Sequence, residues 1–422
     1  MKKIQLKSGV TLVIRPTTQF KTLHIAVDFA APLLTHNVSA RALVSYLTAV
    51  SAKNYPDQQA VAQKTIDLYG AQYQTDVLRF GQTHHVRYSL QLPAPTYIDQ
   101  AEHLLGDAFA FLRDMIFDPL VTTQQFDQAT FDKEQQSLIN ELASISDDKR
   151  RYAMLKLREL SYSEPAMQRS SSGDVSGVEQ LTAATTYAAY QNMMTSDAIS
   201  IVVFGDIDEA RVRAELEKWP LTARRATMLQ PFYRQGLRPQ TVEQTERQAD
   251  INQAILTLSY QLRLAPDDPK RFTALVFNAL FGGSPVSKLF TEIREKESLA
   301  YSIYSRWQHD TGFLTVAAGL AADQVAETDR LIQVQLQAIQ AGDFSAATLA
   351  AVKASLINDY LSQQDSPNSD IELVFSRLLT NRQTHVSEWA AAITAVTPAD
   401  VAALADQVKL QGRFTLMPEA EE

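Results

Sequence analysis

Cysteine is absent from this chain of 422 residues, which excludes disulfide bonds, thiolate zinc sites and cysteine nucleophiles. Long apolar runs are absent as well. No window approaches the roughly 18 uninterrupted apolar residues of a membrane span, so we expect no membrane partner. The opening residues, MKKIQLKSGVTLVIRP, contain lysines but no apolar core before Lys7, unlike a signal peptide. We therefore expect a cytoplasmic protein.

An excess of positive charge is also missing. The net charge is -9 and the isoelectric point is near 5.4, so we expect no nucleic-acid partner. Hydrophobic residues make up 45% of the chain and charged residues 21%, values that are typical of a globular protein with a sizeable core.

Several catalytic motifs are missing too. The chain has no G-x-x-x-x-G-K-[ST], no G-x-G-x-x-G and no G-x-S-x-G, which argues against nucleotide and serine-nucleophile sites. None of its seven histidines forms an i, i+4 pair on a predicted helix, so neither H-E-x-x-H nor H-x-x-E-H is present. His84 and His85 are neighbours in a predicted strand and face opposite ways. Zinc binding through His36 or His84 stays open as a minor alternative.

What the chain does contain is a repeated order of strands and helices. SLINEL at 137–142 recurs as SLINDY at 355–360, an offset of 218 residues that also relates a long helix and a strand in each half. Between the repeats, residues 219–250 are rich in Pro, Arg and Gln and have no clear period. We predict an N-terminal domain at 1–220, a linker at 221–248 and a C-terminal domain at 249–422.

The predicted strands form hairpin-like pairs beside pairs of helices. This order favours an α+β fold in which each half is a mostly antiparallel sheet covered by helices. A doubly wound parallel sheet is disfavoured, because strands do not alternate singly with helices. A helix predicted at about 38–52 has an apolar stripe, and a longer one is predicted at about 123–145.

Two smaller signals have simple structural interpretations. Glu134 and Glu141 are seven residues apart on one predicted helix and share a face, and two exposed glutamates are the simplest interpretation. Gly282 and Gly283 follow another predicted helix, where a helix end and a tight turn explain them.

The stretch LFTEIREKESLAYSIYSRW, residues 289–307, changes from a helical to a strand-like pattern and contains Arg294 and Tyr301. Arginine offers a planar donor fork, and tyrosine offers a hydroxyl on an apolar body. Together they suit a carbonyl or carboxylate of an extended peptide. The alternative is a surface ion pair of Arg294 with Glu295 or Glu297 and a core tyrosine.

These features together resemble the pitrilysin/insulinase family of inverted-motif zinc metallopeptidases. Their second half typically carries a Gly-rich turn followed by L-F-x-x-[LI]-R-E-x-x-x-[LS]-[AC]-Y. The residues of this chain that match in order are Gly282, Gly283, Leu289, Phe290, Arg294, Glu295, Ala300 and Tyr301. The resemblance covers essentially the whole chain, and it implies that Arg294 and Tyr301 bind substrate backbone, with Gly282 and Gly283 beside them.

The first half departs from the family pattern. Where H-x-x-E-H stands in active members, this chain has Arg41, Val44 and Ser45. Glu134 and Glu141 fall where the supporting glutamate and the third zinc ligand lie, with a longer intervening stretch. Catalytic zinc takes three protein ligands, so we expect no metal and no cofactor in this chain, and no peptidase activity by the chain alone.

Some family members work in pairs, in which one chain supplies zinc and the other supplies the Arg/Tyr substrate wall. The whole-chain pattern most resembles zinc-motif-lacking members from Gram-positive bacteria, commonly encoded beside a zinc-motif-bearing relative. The resemblance thus implies a non-catalytic, peptide-binding subunit of a heterodimeric zinc metallopeptidase. Two alternatives stay open: a homodimeric pseudo-enzyme that binds or escorts a peptide or protein, and a purely structural partner.

Overall fold

A computed structural model describes residues 2–224, 228–382 and 385–419. The chain forms two compact units. Unit 1 comprises Met1–Ser144, Arg169–Pro231 and Ser366–Arg382, and unit 2 comprises Ile145–Gln168, Phe232–Asp365 and Gln383–Glu422. A few positions of the predicted domains lie outside the described residues. They are residue 1 of the N-terminal domain, residues 225–227 of the linker, and residues 383–384 and 420–422 of the C-terminal domain.

The strands, numbered in chain order, are β1 (Lys2–Lys7), β2 (Val10–Pro16), β3 (Thr22–Pro32), β4 (Gln72–Phe80), β5 (Thr83–Pro93), β6 (Val121–Thr122), β7 (Gln125–Phe126), β8 (Ala198–Gly205), β9 (Val242–Gln248), β10 (Ala254–Gln261), β11 (Ala300–Gln308), β12 (Phe313–Leu320) and β13 (Lys409–Pro418). 

The α-helices are α1 (Val38–Val50), α2 (Gln58–Asp67), α3 (Leu104–Phe117), α4 (Gln128–Ala143), α5 (Lys149–Ser161), α6 (Pro165–Gln168), α7 (Val175–Glu179), α8 (Ala183–Ser196), α9 (Glu209–Glu217), α10 (Arg271–Asn278), α11 (Val325–Gln340), α12 (Ala346–Gln363), α13 (Pro367–Thr380), α14 (Val386–Ala395) and α15 (Pro398–Ala405). Two π-helical segments, Ala279–Gly283 and Leu289–Lys296, precede β11, and short 3₁₀ turns cover Pro95–Tyr97, Ser144–Ser146 and Ala322–Gln324. Within the described residues, no helix combines the length and the apolar composition that crossing a bilayer requires.

Unit 1 is built on a six-stranded sheet with the order β1-β2-β8-β3-β5-β4. Only β2 and β8 pair in parallel in this order. Side chains of a strand alternate between the two faces of the sheet. On one face, Phe29 of β3 contacts Tyr88, which in turn contacts Thr48 of α1. Ala26 of β3 lies on the opposite face. On that opposite face, Ala26 packs with Ile371 and Phe375 of α13.

Unit 2 is built on a five-stranded sheet with the order β11-β12-β10-β13-β9, in which only β13 and β9 are parallel. Every residue of β10 is buried, because helices cover both of its faces. One face packs against α10, α11 and α15, and the other packs against α5 through Ala153 and Leu157. The sheets of both units are thus mostly antiparallel and covered by helices, and the predicted α+β class is confirmed.

Each unit contains a helix from the other half of the sequence. α13 of the second half belongs to unit 1, and α5 of the first half belongs to unit 2. The apolar side chains of these two helices fit the sheet faces that the other helices leave open. The predicted domain boundaries describe homologous halves of the sequence, and they stay a prediction. The compact units have different bounds, because each unit includes a helix from the other half.

The predicted linker differs from the structure at its end, where Val242–Gln248 forms β9. The sequence VEQTERQ has no apolar alternation because β9 is an edge strand, with most of its residues exposed and only β13 as a neighbour. The repeat itself is visible in α4 and α12, which begin at Gln128 and Ala346, 218 residues apart.

Candidate functional site

The positions that we predict to correspond to the zinc motif lie on α1, and Arg41 among them is buried. Its guanidinium forms an ion pair of 2.5 Å with Asp197, whose side chain is also buried. It further donates hydrogen bonds to His84 Nδ1 at 2.9 Å and to the carbonyl of Phe29 at 3.0 Å. Arg41 therefore connects α1 to strands β3 and β5 and to the end of α8, and all of these contacts are internal to unit 1.

His84 is held neutral by this environment. Burial and the neighbouring Arg41 charge lower the pKa of His84 to about 3. Because Arg41 Nε can only donate, His84 Nδ1 accepts, and His84 Nε2 then donates to the carbonyl of Ser171 at 2.8 Å. Burial raises the pKa of Asp197, although the charge of Arg41 opposes this effect. Both ring nitrogens of His84 are thus engaged, which leaves none for a metal in this arrangement.

The other two motif positions are also part of the core. Val44 and Ser45 are buried, and the carbonyl of Ser45 accepts a hydrogen bond of 2.9 Å from Thr75 Oγ1. The next residue, Tyr46, donates its hydroxyl hydrogen bond to Glu141. Positions 41, 44 and 45 of α1 therefore carry no imidazole and no carboxylate group.

The two glutamates of α4 lie in different environments. Glu134 is buried, against the expectation of two exposed glutamates, and its carboxylate lies 3.5 Å from Lys133 Nζ. Glu141 is exposed, as expected, and reaches α1 through Tyr46. Among the residues that the structure describes, no group of three or more His, Asp or Glu side chains could hold a metal ion. A guanidinium, an isopropyl group and a hydroxyl at 41, 44 and 45 do not fit the ligand set of catalytic zinc.

The glycine pair lies in unit 2, in the first π-helical segment. A Cβ atom on Gly282 would come within 2.8 Å of Leu289 Cδ1 and of the Ser305 backbone nitrogen. One on Gly283 would come within 2.5 Å of Asn278 Nδ2. Gly282 therefore allows this segment to pack closely against β11, and Gly283 allows it to pack closely against the end of α10. Their predicted contact with substrate stays a prediction.

Arg294 lies in the second π-helical segment and is exposed. Its guanidinium stacks on the Phe290 ring at 4.7 Å, and it forms no ion pair with any residue that the structure describes. The surface ion pair in this segment joins Lys296 to Glu292 at 2.8 Å. The alternative pairing of Arg294 with Glu295 or Glu297 is therefore wrong for this structure.

Tyr301 lies near the start of β11, at the edge of the unit 2 sheet, and is 62% exposed. It is not a core tyrosine. A bulge between Ala300 and Ser302 interrupts the pairing with β12 at this residue, and Ser298 just before the strand has a φ of 55°. The bulge leaves Tyr301 outside the register of the ladder, so its ring and hydroxyl face away from the core of unit 2.

A buried charged cluster in unit 1 carries no motif and was not predicted. Asp28 accepts hydrogen bonds from Arg87 Nε at 3.0 Å and lies 2.8 Å from His85 Nδ1, and Arg87 also pairs with Glu372. Burial alone would raise the pKa of Asp28, but His85 and Arg87 hold it below its usual value. The sequence signal that could have indicated this cluster is a charged residue within a strand, as in AVDFA at 26–30 and HHVRY at 84–88.

Comparison with known proteins places this arrangement in a family. A family model described as the peptidase M16 inactive domain matches residues 180–356. The "Probable inactive metalloprotease YmfF" of Bacillus subtilis (strain 168) is 28% identical over 418 residues, which cover 98% of this chain and 97% of that protein. The chain belongs to the M16 family, the pitrilysin/insulinase peptidases and their inactive homologues.

Solved structures share the fold of this chain. A conserved protein from Enterococcus faecalis V583 is 32% identical, with a TM-score of 0.95 over 100% of this chain and 99% of that chain. The peptidase M16 inactive domain from Pseudomonas fluorescens has a TM-score of 0.78 over 100% of both chains at 17% identity, which shows the shared fold. This chain is an M16 homologue of the inactive kind, and the predicted resemblance is confirmed.

Proposed function

We propose that this chain is the non-catalytic, peptide-binding subunit of a heterodimeric zinc metallopeptidase. A zinc-motif-bearing M16 chain is the partner, and zinc is bound only there. Arg294 and Tyr301 bind the backbone of the peptide substrate, and Gly282 and Gly283 belong to the same substrate-binding region.

The observation that carries this proposal is the contrast between two regions. Arg294 and Tyr301 are exposed, and the Arg294 fork has no carboxylate partner among the described residues. An arginine fork and a tyrosine hydroxyl beside an edge strand suit an extended peptide. The zinc-motif positions, in contrast, are used for packing, so binding groups are retained where metal ligands are not.

Native mass spectrometry of the tagged chain recovered from its own cells, with metal counted in the same spectrum, tests the pairing. A one-to-one complex with an M16 chain of similar size that carries one zinc ion is the expected result. A metal-free homodimer would contradict the heterodimer and favour a peptide-binding pseudo-enzyme. Zinc-dependent, chelator-sensitive cleavage by the pure chain would contradict the non-catalytic role itself.

The substrate role is tested in the reconstituted pair with Arg294→Ala and Tyr301→Ala together. We expect peptide cleavage to fall by about a hundredfold or more, because two substrate contacts are lost while the zinc site is intact. Replacing an exposed arginine and tyrosine elsewhere, Arg330→Ala and Tyr97→Ala, controls for surface changes and should leave cleavage unchanged. Unchanged cleavage in the first variant would reject the assigned roles.

A further inference from the structure

The face of the unit 1 sheet that packs against α13 also carries a pocket of about 450 Å³. Its lining residues come from all six strands of the sheet, from Lys3 on β1 to Leu78 on β4. Neighbouring strands are about 4.8 Å apart, so a pocket that reaches across six strands is about 24 Å long. Its size is typical of small-molecule sites, and its length favours an elongated ligand.

The floor of the pocket is a row of side chains that lie directly opposite one another on adjacent strands. In spatial order they are Gln5, Thr11, Ser200, Asp28 and Arg87. Directly opposite residues share a face, so all five point to the α13 side. The rest of the lining combines the charged side chains Lys3, Arg79 and Glu372 with the apolar side chains Phe80, Leu229, Phe375, Leu378 and Leu379.

Most polar groups of the floor are already satisfied within the protein. Gln5 donates to the carbonyl of Val10 at 3.0 Å, and Asp28 accepts from both His85 and Arg87. Such a floor tolerates an apolar chain above it, because no buried group loses a partner. A peptide is disfavoured as the occupant. Each of its residues would bring an unpaired N–H and C=O to a sheet face whose backbone groups are already paired.

Arg87 is a residue of the pocket floor whose polar group is not fully hydrogen-bonded within the described residues. Its side chain is only 6% exposed, its Nε is bonded to Asp28 and its Nη1 to Glu372, and Nη2 has no hydrogen-bond partner among the described residues. Glu372 is 61% exposed, so the carboxylate on Nη1 comes from a surface side chain. The Arg87–Glu372 pair shows that a carboxylate can reach this buried guanidinium, and an exposed partner is easily replaced.

We infer that this pocket binds a linear aliphatic carboxylate, a long-chain fatty acid. The carboxylate pairs with Arg87 in competition with Glu372. The alkyl chain extends across the sheet towards β1, between the satisfied polar floor and the apolar side chains of α13. This site lies entirely within unit 1 and is independent of the peptide contact proposed for Arg294 and Tyr301.

The first test compares myristate with tetradecanol by native mass spectrometry and by displacement of a fluorescent fatty acid from the full-length chain. The two probes share an alkyl chain and differ in charge. We expect myristate to bind with one-to-one stoichiometry and at least about tenfold more tightly, because charge-assisted hydrogen bonds to Arg87 are lost with the alcohol. Equal affinity of acid and alcohol, or no saturable binding of either, would overturn the inference.

One variant locates the site without changing the charged cluster of Asp28, His85, Arg87 and Glu372. Ser376→Phe places a ring in the pocket and should weaken myristate binding by about tenfold or more, because it occupies the volume of the chain. The same change at exposed Ser362 on α12 is the matched control and should leave binding unchanged, with thermal unfolding confirming that both variants fold.

Glu372→Gln removes the competing carboxylate and should tighten binding by about two- to fivefold, the range expected for an exposed ion pair. Glu327→Gln, at an exposed position of unit 2, is its control. Weaker binding by Glu372→Gln, or full binding by Ser376→Phe, would reject this pocket. Tighter binding of an apolar peptide than of myristate would reject the ligand class.

Discussion

Arg41 and Asp197 form an ion pair of 2.5 Å in which the two side chains are 4% and 3% exposed. Arg41 of this pair lies on α1, the helix whose residues 41, 44 and 45 we predict to correspond to the zinc motif of active M16 members. An arginine that is paired inside the protein cannot be exchanged for a metal-binding residue without a structural cost. Arg41 is therefore part of the packing of unit 1 and not an open ligand position.

Replacing Arg41 should destabilise the protein strongly. Arg41→Met leaves Asp197 buried without its partner, and we expect a loss of about 3–5 kcal/mol in the free energy of unfolding. Urea denaturation measures this loss. Lys296→Met breaks the exposed pair with Glu292 and should cost no more than about 1 kcal/mol. Similar losses in both variants would show that the buried pair has no special role.

Rebuilding the motif should not create a zinc site. The triple variant Arg41→His, Val44→Glu and Ser45→His removes the buried cation and introduces a carboxylate at a fully buried position. We expect a thermal midpoint well below that of the natural chain, with no stoichiometric zinc by elemental analysis. A stable variant that binds one zinc ion per chain would contradict the structural role that we assign to Arg41.

Acidification should destabilise the protein through its buried histidines. Burial lowers the pKa of His24 to about 4 and that of His84 to about 3, whereas an unfolded chain protonates histidine near 6.5. Between pH 6.5 and about 4 the unfolded state binds more protons than the folded state. The free energy of unfolding therefore decreases as the pH is lowered through this range, by up to about 1.4 kcal/mol per pH unit for each histidine.

The contribution of a single histidine can be isolated with His24→Gln, which keeps a hydrogen-bonding group near Thr22. This variant should reduce the dependence of unfolding free energy on pH between 6 and 5. His103→Gln, at an exposed site, should leave that dependence unchanged. An unchanged dependence in His24→Gln would show that His24 is not buried in a neutral form.

The glycine pair provides a test of the segment before β11. Gly282→Ala places a methyl group 2.8 Å from the Ser305 backbone nitrogen, which cannot move without shifting β11, and we expect a loss of about 1–3 kcal/mol. Gly236→Ala meets no atom within 4 Å and should be near neutral. Urea denaturation of both variants compares them directly, and equal stability would contradict the close packing.

The sequence predicted the local elements well where one face of an element is buried. The apolar stripe of α1 was sufficient, and its observed bounds agree within two residues with the predicted helix at about 38–52. β9 was missed because an exposed edge strand has no apolar face to show in its sequence. Periodicity reports burial, so an element that is not buried leaves no periodic signal.

Contacts between distant residues could not be predicted in this way. Nothing near Arg41 indicates that its partner is 156 residues away, and nothing near α13 indicates that it covers the sheet of the first half. Tyr301 could be placed on a strand, but its exposure depends on a bulge that the residue pattern does not encode. These features arise from tertiary packing, which a single sequence reveals only through its local consequences.

The exchange of α5 and α13 has a consequence for how the chain is made. While the protein emerges from the ribosome, the first sheet is complete once Gly205 has appeared, yet the helix that covers Val13 and Phe204 begins only at Pro367. An apolar surface therefore stays open to solvent and to other nascent chains while some 160 further residues are synthesised. A gene cut between the two repeats would leave that surface permanently uncovered, so the two halves depend on each other for folding.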